Sequence, residues 1–340
     1  MITLTPFRVN PKSMHELIIM PEFADVLDEN GDVTQPSDEE GDWMVMDNVV
    51  TSRPIIDLFG SQNILKRRDQ TCKLIYSTVG RLGAREIHTT KVYAAVEDCT
   101  EEFYQGAFAD YESENFDQFA SQVMPLMSKA VATDLYTNRY FGDTSRISDP
   151  AGVWSWNRFD GVFTQISKYI TAGVIPSSQT FAIAGGAITP AAANTALDNA
   201  YNAQGDIMEN MNDEDKCFYV DKKLAEAYHD YLVQSGVTVL SERMSGKPIL
   251  YKKGILVKVK KWNPTLKSLN SGTEAHAIIL TLKGNFVYGA DTTYGGGPKH
   301  NEAIRIWYSM DDDVWRRQIH LKSGTEIAAP QFIVLGLTSF

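Results

Sequence analysis

The chain has 340 residues, 43% of them hydrophobic and 22% charged, with a formal net charge of −11. This length and apolar content suffice for two compact domains, or one domain with large extensions, and exclude general disorder. The acidic balance argues against sequence-independent DNA binding, which needs a basic face, and no apolar run approaches the roughly 20 residues of a membrane span.

Residues 1–60 show little periodicity and are punctuated by Pro6, Pro11, Pro21, Pro36 and Pro54, with turn signals at Asn30-Gly31 and in DEEGD (38–42). They read as an acidic arm lying against another surface, a neighbouring subunit being one candidate. DENGD (28–32) reads as a turn and not a calcium loop, because the position where the pattern needs an acid holds Val26. TCKLIYST (71–78) and REIHTTKVYAAVE (85–97), joined through Gly80 and Gly83, predict a long β-ribbon. A two-stranded ribbon is marginal alone, so it is expected to be supported by other chains or to be mobile. Its tip carries Arg81 and Arg85, suited to an acidic partner surface.

From Phe116 to Phe141 apolar residues recur at Phe116, Phe119, Val123, Leu126, Met127, Ala130, Val131 and Leu135, the spacing of one helical face. Asp134 and Asn138 fall with the polar remainder, Pro125 predicts a kink or a fresh start, and Gly142-Asp143 a stop. This long helix reads as a spine. WNRFDGVFTQISKYI (156–170) places Phe159, Val162, Phe163, Ile166 and Ile170 on one face, and 171–188 looks like a loop. Thr189-Pro190 opens the next helix with a hydroxyl cap and proline at its first position; Leu197, Ala200, Tyr201, Gln204, Met208 and Met211 trace its buried stripe. CFYV (217–220) is a short buried strand, Asp221 caps a helix with Leu224, Ala227, Tyr228, Tyr231 and Leu232 inward, and Gly236 ends it. ILYKKGILVKVKKW (249–262) predicts paired strands, with Ile255, Val257 and Val259 alternating against Leu256, Lys258 and Lys260. AIILTLKGNFVYGAD (277–291) supplies one or two more, and IRIWYS (304–309), VWRRQIHLK (314–322) and QFIVLGL (331–337) close the chain, separated by DDD (311–313), Ser323-Gly324 and Ala329-Pro330.

Charge is segregated. Glu22 to Asp47 holds ten acidic residues and no Lys or Arg; Lys66 to Lys91 holds seven basic residues against Asp69 and Glu86; Lys247 to Lys267 holds seven lysines and no acid. Such blocks are either solvated surface or surfaces that meet between copies of the chain, where complementary charge fixes register. For the second case the candidate contact residues are Asp38, Glu39, Glu40 and Asp42 on the acidic side and Arg67, Arg68, Arg81, Arg85 and Lys91 on the basic side.

No catalytic, cofactor-binding or metal constellation is legible. Phosphate-loop, dinucleotide, zinc-protease and nucleophile-elbow patterns are all missing, and the histidines (His15, His88, His229, His276, His300, His320) are scattered singly. Gly295-Gly296-Gly297 with Lys299 and His300 reads as a flexible loop, Asp291 with Asp311, Asp312 and Asp313 as acidic turns, and Cys217 as a small buried hydrophobe. Cys72, Cys99 and Cys217 are too far apart and too few for a disulfide framework. The first residues lack a secretory pattern, so folding in a reducing cytoplasm is expected. A chain of this size without a site points to structural work.

The order of elements, with the phrases WNRFDGVFTQI (156–166), KCFYVDKKLAEAYHDYL (216–232), ILTLKGNFVYGADT (279–292) and GTEIAAPQFIVLG (324–336), resembles the major capsid proteins of tailed bacteriophages, of the Hong Kong 97 type. The resemblance spans about residues 50–340. It implies an α+β fold with an N-terminal arm (1–60), an extended β-ribbon loop (61–105), a peripheral domain with the spine helix (106–150) and closing strands (289–340), and an α/β axial domain (151–288). The function it implies is that of a structural subunit, not an enzyme, self-assembling into pentamers and hexamers around double-stranded DNA. No cofactor, metal or membrane is called for; partners would be copies of the chain and separate scaffold, portal and decoration proteins. Assembly is expected in the host cytoplasm and residence in the virion. No scaffolding segment follows Met1, and no position matches the crosslinking residues of some members. The same fold serves encapsulin shells, which leaves a cellular shell as an alternative; a cytoplasmic α/β enzyme with an unrecognised site is the reading from a different class.

Overall fold

The computed structural model describes residues 43–46, 49–55, 85–99, 130–146, 156–236, 249–251, 254–291, 304–309, 311 and 314–338. Its strands run β1 (Trp43–Met46), β2 (Ser52–Pro54), β3 (Glu86–His88), β4 (Thr90–Cys99), β5 (Thr180–Ala182), β6 (Lys216–Asp221), β7 (Ile249–Leu250), β8 (Leu256–Lys260), β9 (Ala277–Leu282), β10 (Phe286–Asp291), β11 (Ile304–Ser309), β12 (Val314–Ile327) and β13 (Val334–Leu337). The helices are α1 (130–141), α2 (Val162–Thr171), α3 (Pro190–Asn202), α4 (Asp206–Glu209), α5 (Lys222–Gln234) and α6 (Asn263–Leu269). Two compact units result: Val45–Val162 with Val287–Ala328, and Phe163–Phe286 with Ala329–Phe340.

The first unit is organised on β12. β11 and β4 both run antiparallel to it, the latter from Cys99 opposite Val314 to Thr90 opposite Ser323, and the sheet continues in the order β1-β10-β12-β11. The expected ribbon partner of β4, the 71–78 segment, lies outside the described residues, and β4 rests along ten residues of its own chain's β12. β12 also runs through Ser323-Gly324, where a break was expected. A Cβ added at Gly324 would stand 1.9 Å from the His88 carbonyl oxygen, so glycine here admits the backbone next to β3, while the Ser323 hydroxyl bonds that of Tyr288 at 2.7 Å. β3 pairs with β2, and Ile87 joins Val49, Ile55 and Val287 in a small core.

Only 130–141 of the predicted spine, which excludes Pro125, falls within the described residues, and it is helical. Val131 and Leu135 are buried as the spacing requires, whereas Ala130 is exposed. Asn138, placed on the polar side by periodicity, is buried: its amide donates to the Asp134 carbonyl at 3.0 Å and its side-chain oxygen accepts from the Arg158 amide at 3.4 Å. The helix stops at Gly142 for lack of room and not through a left-handed turn. A Cβ there would lie 2.1 Å from the Phe159 carbonyl oxygen, and the Gly142 carbonyl accepts from Gly161 at 2.8 Å. One turn back, the Arg139 guanidinium lies 4.0 Å over the Tyr288 ring of β10, holding the helix end to the sheet.

The second unit carries a sheet in the order β5-β13-β9-β6-β8-β7. β6 lies inside it, parallel to β8 and antiparallel to β9, and every residue of it is buried. Phe218 and Val220 point into a core with Leu197, Leu224, Tyr228 and Leu280, beneath α3 and α5. The alternate residue Tyr219 packs its ring against that of Phe286, tilted by 46° with the centroids 5.0 Å apart. The 171–188 stretch is not all loop, since β5 adds to the sheet edge beside β13. The β8 alternation also fails at its end: Val259 is exposed, and Lys260 is buried with its ammonium 5.5 Å above the Tyr219 ring. β9 and β10, neighbours in sequence, belong to different sheets, and Gly284 turns between them at a φ of 72°.

The predicted helix starts hold. The Thr189 hydroxyl accepts from the Ala192 amide at 3.3 Å with Pro190 behind it, and Asp221 accepts from the Leu224 amide at 3.1 Å. Gly236 follows α5 with a φ of 78°. Thr189→Ala should lower the stability of this unit by about 1 kcal/mol, read as a shift of the urea midpoint at unchanged slope.

Candidate functional site

Of the nine residues expected to meet between copies, Asp38, Glu39, Glu40, Asp42, Arg67, Arg68 and Arg81 lie outside the described residues. Arg85 opens β3 half-buried, and its guanidinium donates to the Ala328 carbonyl at 2.6 Å, a tie within its own unit. Lys91 is exposed on β4, its Cα opposite that of Lys322.

The strand period puts Lys91, Tyr93, Ala95 and Glu97 on one face of β4, all exposed, with Tyr93 at 70%. Opposite them on β12 stand Lys322, His320, Gln318 and Arg316. Tyr93 and His320 place their rings 6.3 Å apart, and Arg316 donates to Glu97 at 3.3 Å. An exposed pair of this kind contributes only about 0.2–1 kcal/mol. The other face turns Ile319 and Leu321 inward. Apart from Lys322, whose side chain is buried against Asp291, this is a solvated sheet face of mixed charge carrying a large exposed ring, suited to contact with another protein surface.

The second unit contains two buried polar clusters that sequence inspection did not assemble. In one, both oxygens of Asp221 accept: Oδ1 from the Ala277 amide at 3.1 Å, and Oδ2 from the Leu224 amide at 3.1 Å, the Asn263 amide group at 2.7 Å and His276 Nδ1 at 3.1 Å. The other ring nitrogen of His276, Nε2, lies 2.9 Å from the Gly186 carbonyl oxygen, and both side chains are fully buried. Burial works against the imidazolium, but the bonds to Asp221 and Gly186, with the charges of Asp221 and Glu274, raise the His276 pKa above its ordinary value. In this arrangement both nitrogens are engaged and solvent is shut out, so the Asp–His pair is built as a tie and not as a general base. Asp221 was legible as a cap; nothing local pointed to a histidine 55 residues away.

In the other cluster Asp198 accepts from the Tyr251 hydroxyl and, at 2.9 Å, from Asn194. Burial, then the Asp198 charge, pushes the Tyr228 hydroxyl up to about 12. Nearby, Lys216, fully buried, donates to Asp213 at 2.9 Å. Among the described residues no three His, Cys, Asp or Glu side chains are grouped to hold a metal ion, and no helix is long and apolar enough to cross a membrane. Asp291, considered with Asp311–Asp313 as an acidic turn, is buried and bonded to Lys322 at 3.2 Å.

No family model and no curated protein matches the sequence. The fold is nevertheless that of phage capsid subunits of the Hong Kong 97 type. Its likeness to a chain of the satellite phage P4 procapsid, solved with the size-determination protein, spans 86% of this chain and 84% of that one at a TM-score of 0.57 and 11% identity. The capsid of Myoviridae phage XM1 is similar over 90% of this chain and 93% of that one, at 0.49 and 9%. The SrpI encapsulin of Synechococcus elongatus is similar over 74% of each chain, at 0.44 and 12%. At these identities the likeness is one of fold.

Proposed function

We propose that the chain is the structural subunit of an icosahedral bacteriophage head, assembling into pentamers and hexamers that enclose double-stranded DNA. The observation that carries this reading is the fold shared with the P4 procapsid chain along 86% of the sequence. The net charge of −11 supports it, because packaged DNA meets no basic lumen to adhere to. So does the segregation of charge: heterologous contacts between complementary patches close into rings when the rotation closes. In this reading residues 1–60 form the arm, 61–105 the extended loop, 106–150 and the strands from 289 the peripheral domain and 151–288 the axial domain, except that the last strand, expected in the peripheral domain, belongs to the axial one: β13 pairs with β5 and β9 of the second unit. The acids at 38–42 then meet Arg67, Arg68, Arg81 and Lys91 of neighbouring subunits, and Arg85 only with the part of its guanidinium that the Ala328 carbonyl does not engage. The head assembles in the host cytoplasm, with separate scaffold, portal and decoration proteins as partners, and needs no cofactor or catalytic group.

Negative-stain microscopy of the purified chain across a salt series tests this. Closed shells, tubes or capsomer rings that come apart at high salt are the expected result. Particles of monomer or dimer size at every salt concentration, and also after addition of lysate from phage-infected cells, overturn it. Nuclease-protected DNA in particles recovered from such cells separates a phage head from a cellular shell.

A further inference from the structure

The Asp221–His276 pair joins segments far apart in the chain. Asp221 ends β6 and caps α5, Asn263 belongs to α6, and Gly186 sits in the 183–189 segment that leads into the Thr189 cap of α3. The backbone of His276 is itself tied to Thr338 in both directions, its amide donating to the Thr338 hydroxyl at 3.0 Å and its carbonyl accepting from the Thr338 amide at 2.9 Å. Every contact of the ring is thus to an acceptor: a carboxylate on Nδ1 and a carbonyl on Nε2. A neutral imidazole has one N–H, so it satisfies one of these acceptors and turns a lone pair toward the other. Only the imidazolium satisfies both.

We propose that His276 is a protonation-dependent latch, which as the imidazolium fastens the 183–189 segment to the Asp221-capped end of β6 and on losing its proton lets that segment go. The segment is built to respond. Ala184, Gly185 and Ala187 are exposed, and Gly186 adopts a φ of 91° with open space where a side chain would be. Between its anchored ends, where Ile183 is buried in the core, Ile188 packs against that core and Thr189 caps α3, it is tied by the Gly186 N–H to the Glu274 carbonyl at 2.8 Å, and its start by the Ile183 N–H to the Leu337 carbonyl at 3.1 Å. The charged groups facing the ring are few: Asp221 from β6, and Glu274 from the segment before β9. Glu274 is in turn bonded to Lys223 of α5 and lies within the field of Lys267 of α6.

The direction follows from the raised pKa. The latch contributes fully below about 6.5, the pKa of a histidine in the open state, and its contribution is lost as pH rises through the higher value of the closed state. The experiment is hydrogen exchange of the full chain followed by mass spectrometry between pH 5 and 9, read both at backbone amides and at histidine Cε1, which reports each imidazole's protonation. Protection of the 184–188 amides, corrected for intrinsic rates, should fall about tenfold per pH unit between the two pKa values. The amides of β9 should hold over the same range. In His276→Gln the 184–188 protection should become independent of pH. Two results overturn the proposal: His276 found neutral at pH 5, or 184–188 protection unchanged while His276 loses its proton. Both are read on the unmodified chain, so a failure of His276→Gln to fold does not protect the idea. Neither depends on whether the chain forms a phage head.

Discussion

Gly324→Val is expected to unfold the first unit or to lower its stability by about 3 kcal/mol or more. Overpacking a core usually costs about 1–3 kcal/mol because side chains shift to absorb it, but here the obstacle is backbone. A Cβ at Gly324 would stand 1.9 Å from the His88 carbonyl oxygen and 3.0 Å from its carbon. β12 cannot retreat without disturbing its pairing with β4, which includes Ser323 opposite Thr90. Nor can β3 move freely, because Ile87 is buried in the small core with Val49, Ile55 and Val287. Ser323→Ala is the companion variant: it removes only the bond to the Tyr288 hydroxyl and should cost about 1 kcal/mol. Urea denaturation followed by tryptophan fluorescence compares the two. A Gly324→Val chain that unfolds at the wild-type midpoint would mean that β3 and β12 do not approach as described.

What the sequence made legible was local. Thr189-Pro190, Asp221 and Gly236 set helix limits through groups within four residues of one another, and those limits stand. The strands at 217–220, 304–309 and 331–337 declared themselves by apolar and β-branched runs and are found at or within a few residues of those positions. What was not legible depends on long separations. The pairing of β4 with β12 brings Glu97 to Arg316, 219 positions away, and no propensity encodes such a partner. Buried cations were hidden for a related reason. Hydropathy assigns every lysine to the surface, yet Lys216, Lys260 and Lys322 are buried: Lys216 has Asp213 three positions back, while Lys260 and Lys322 find the Tyr219 ring and Asp291 farther away in the chain. Asn138 misled in the same way: a polar residue on a helix joins the buried side when a neighbouring loop, here at Arg158, supplies its partner. For the assembly surface the limit is different, since only Arg85 and Lys91 of the nine candidates fall among the described residues.

The pair formed by Lys322 and Asp291 should show the largest coupling in the first unit. The Lys322 ammonium donates to Asp291 Oδ2 at 3.2 Å and to the Val50 carbonyl at 2.5 Å, with the two side chains only 8% and 3% exposed. Two charges taken out of water gain little net stability over apolar groups of the same shape, but removal of one partner leaves the other buried against its preference. Lys322→Met should therefore lower stability by about 3–5 kcal/mol, and Asp291→Leu by a similar amount. The double variant should recover most of the loss, since it buries neither charge. The recovery, measured as a coupling energy from the four unfolding curves, separates a buried pair from two independent surface charges, whose losses would simply add. Additive losses of a few tenths of a kcal/mol would place both groups in solvent and remove the tie from β12 to β10 and to the Val50 backbone. A large coupling would instead establish that a lysine in a strand facing Lys91 turns inward, leaving Lys91 as the cation which that position of the sheet presents to a partner.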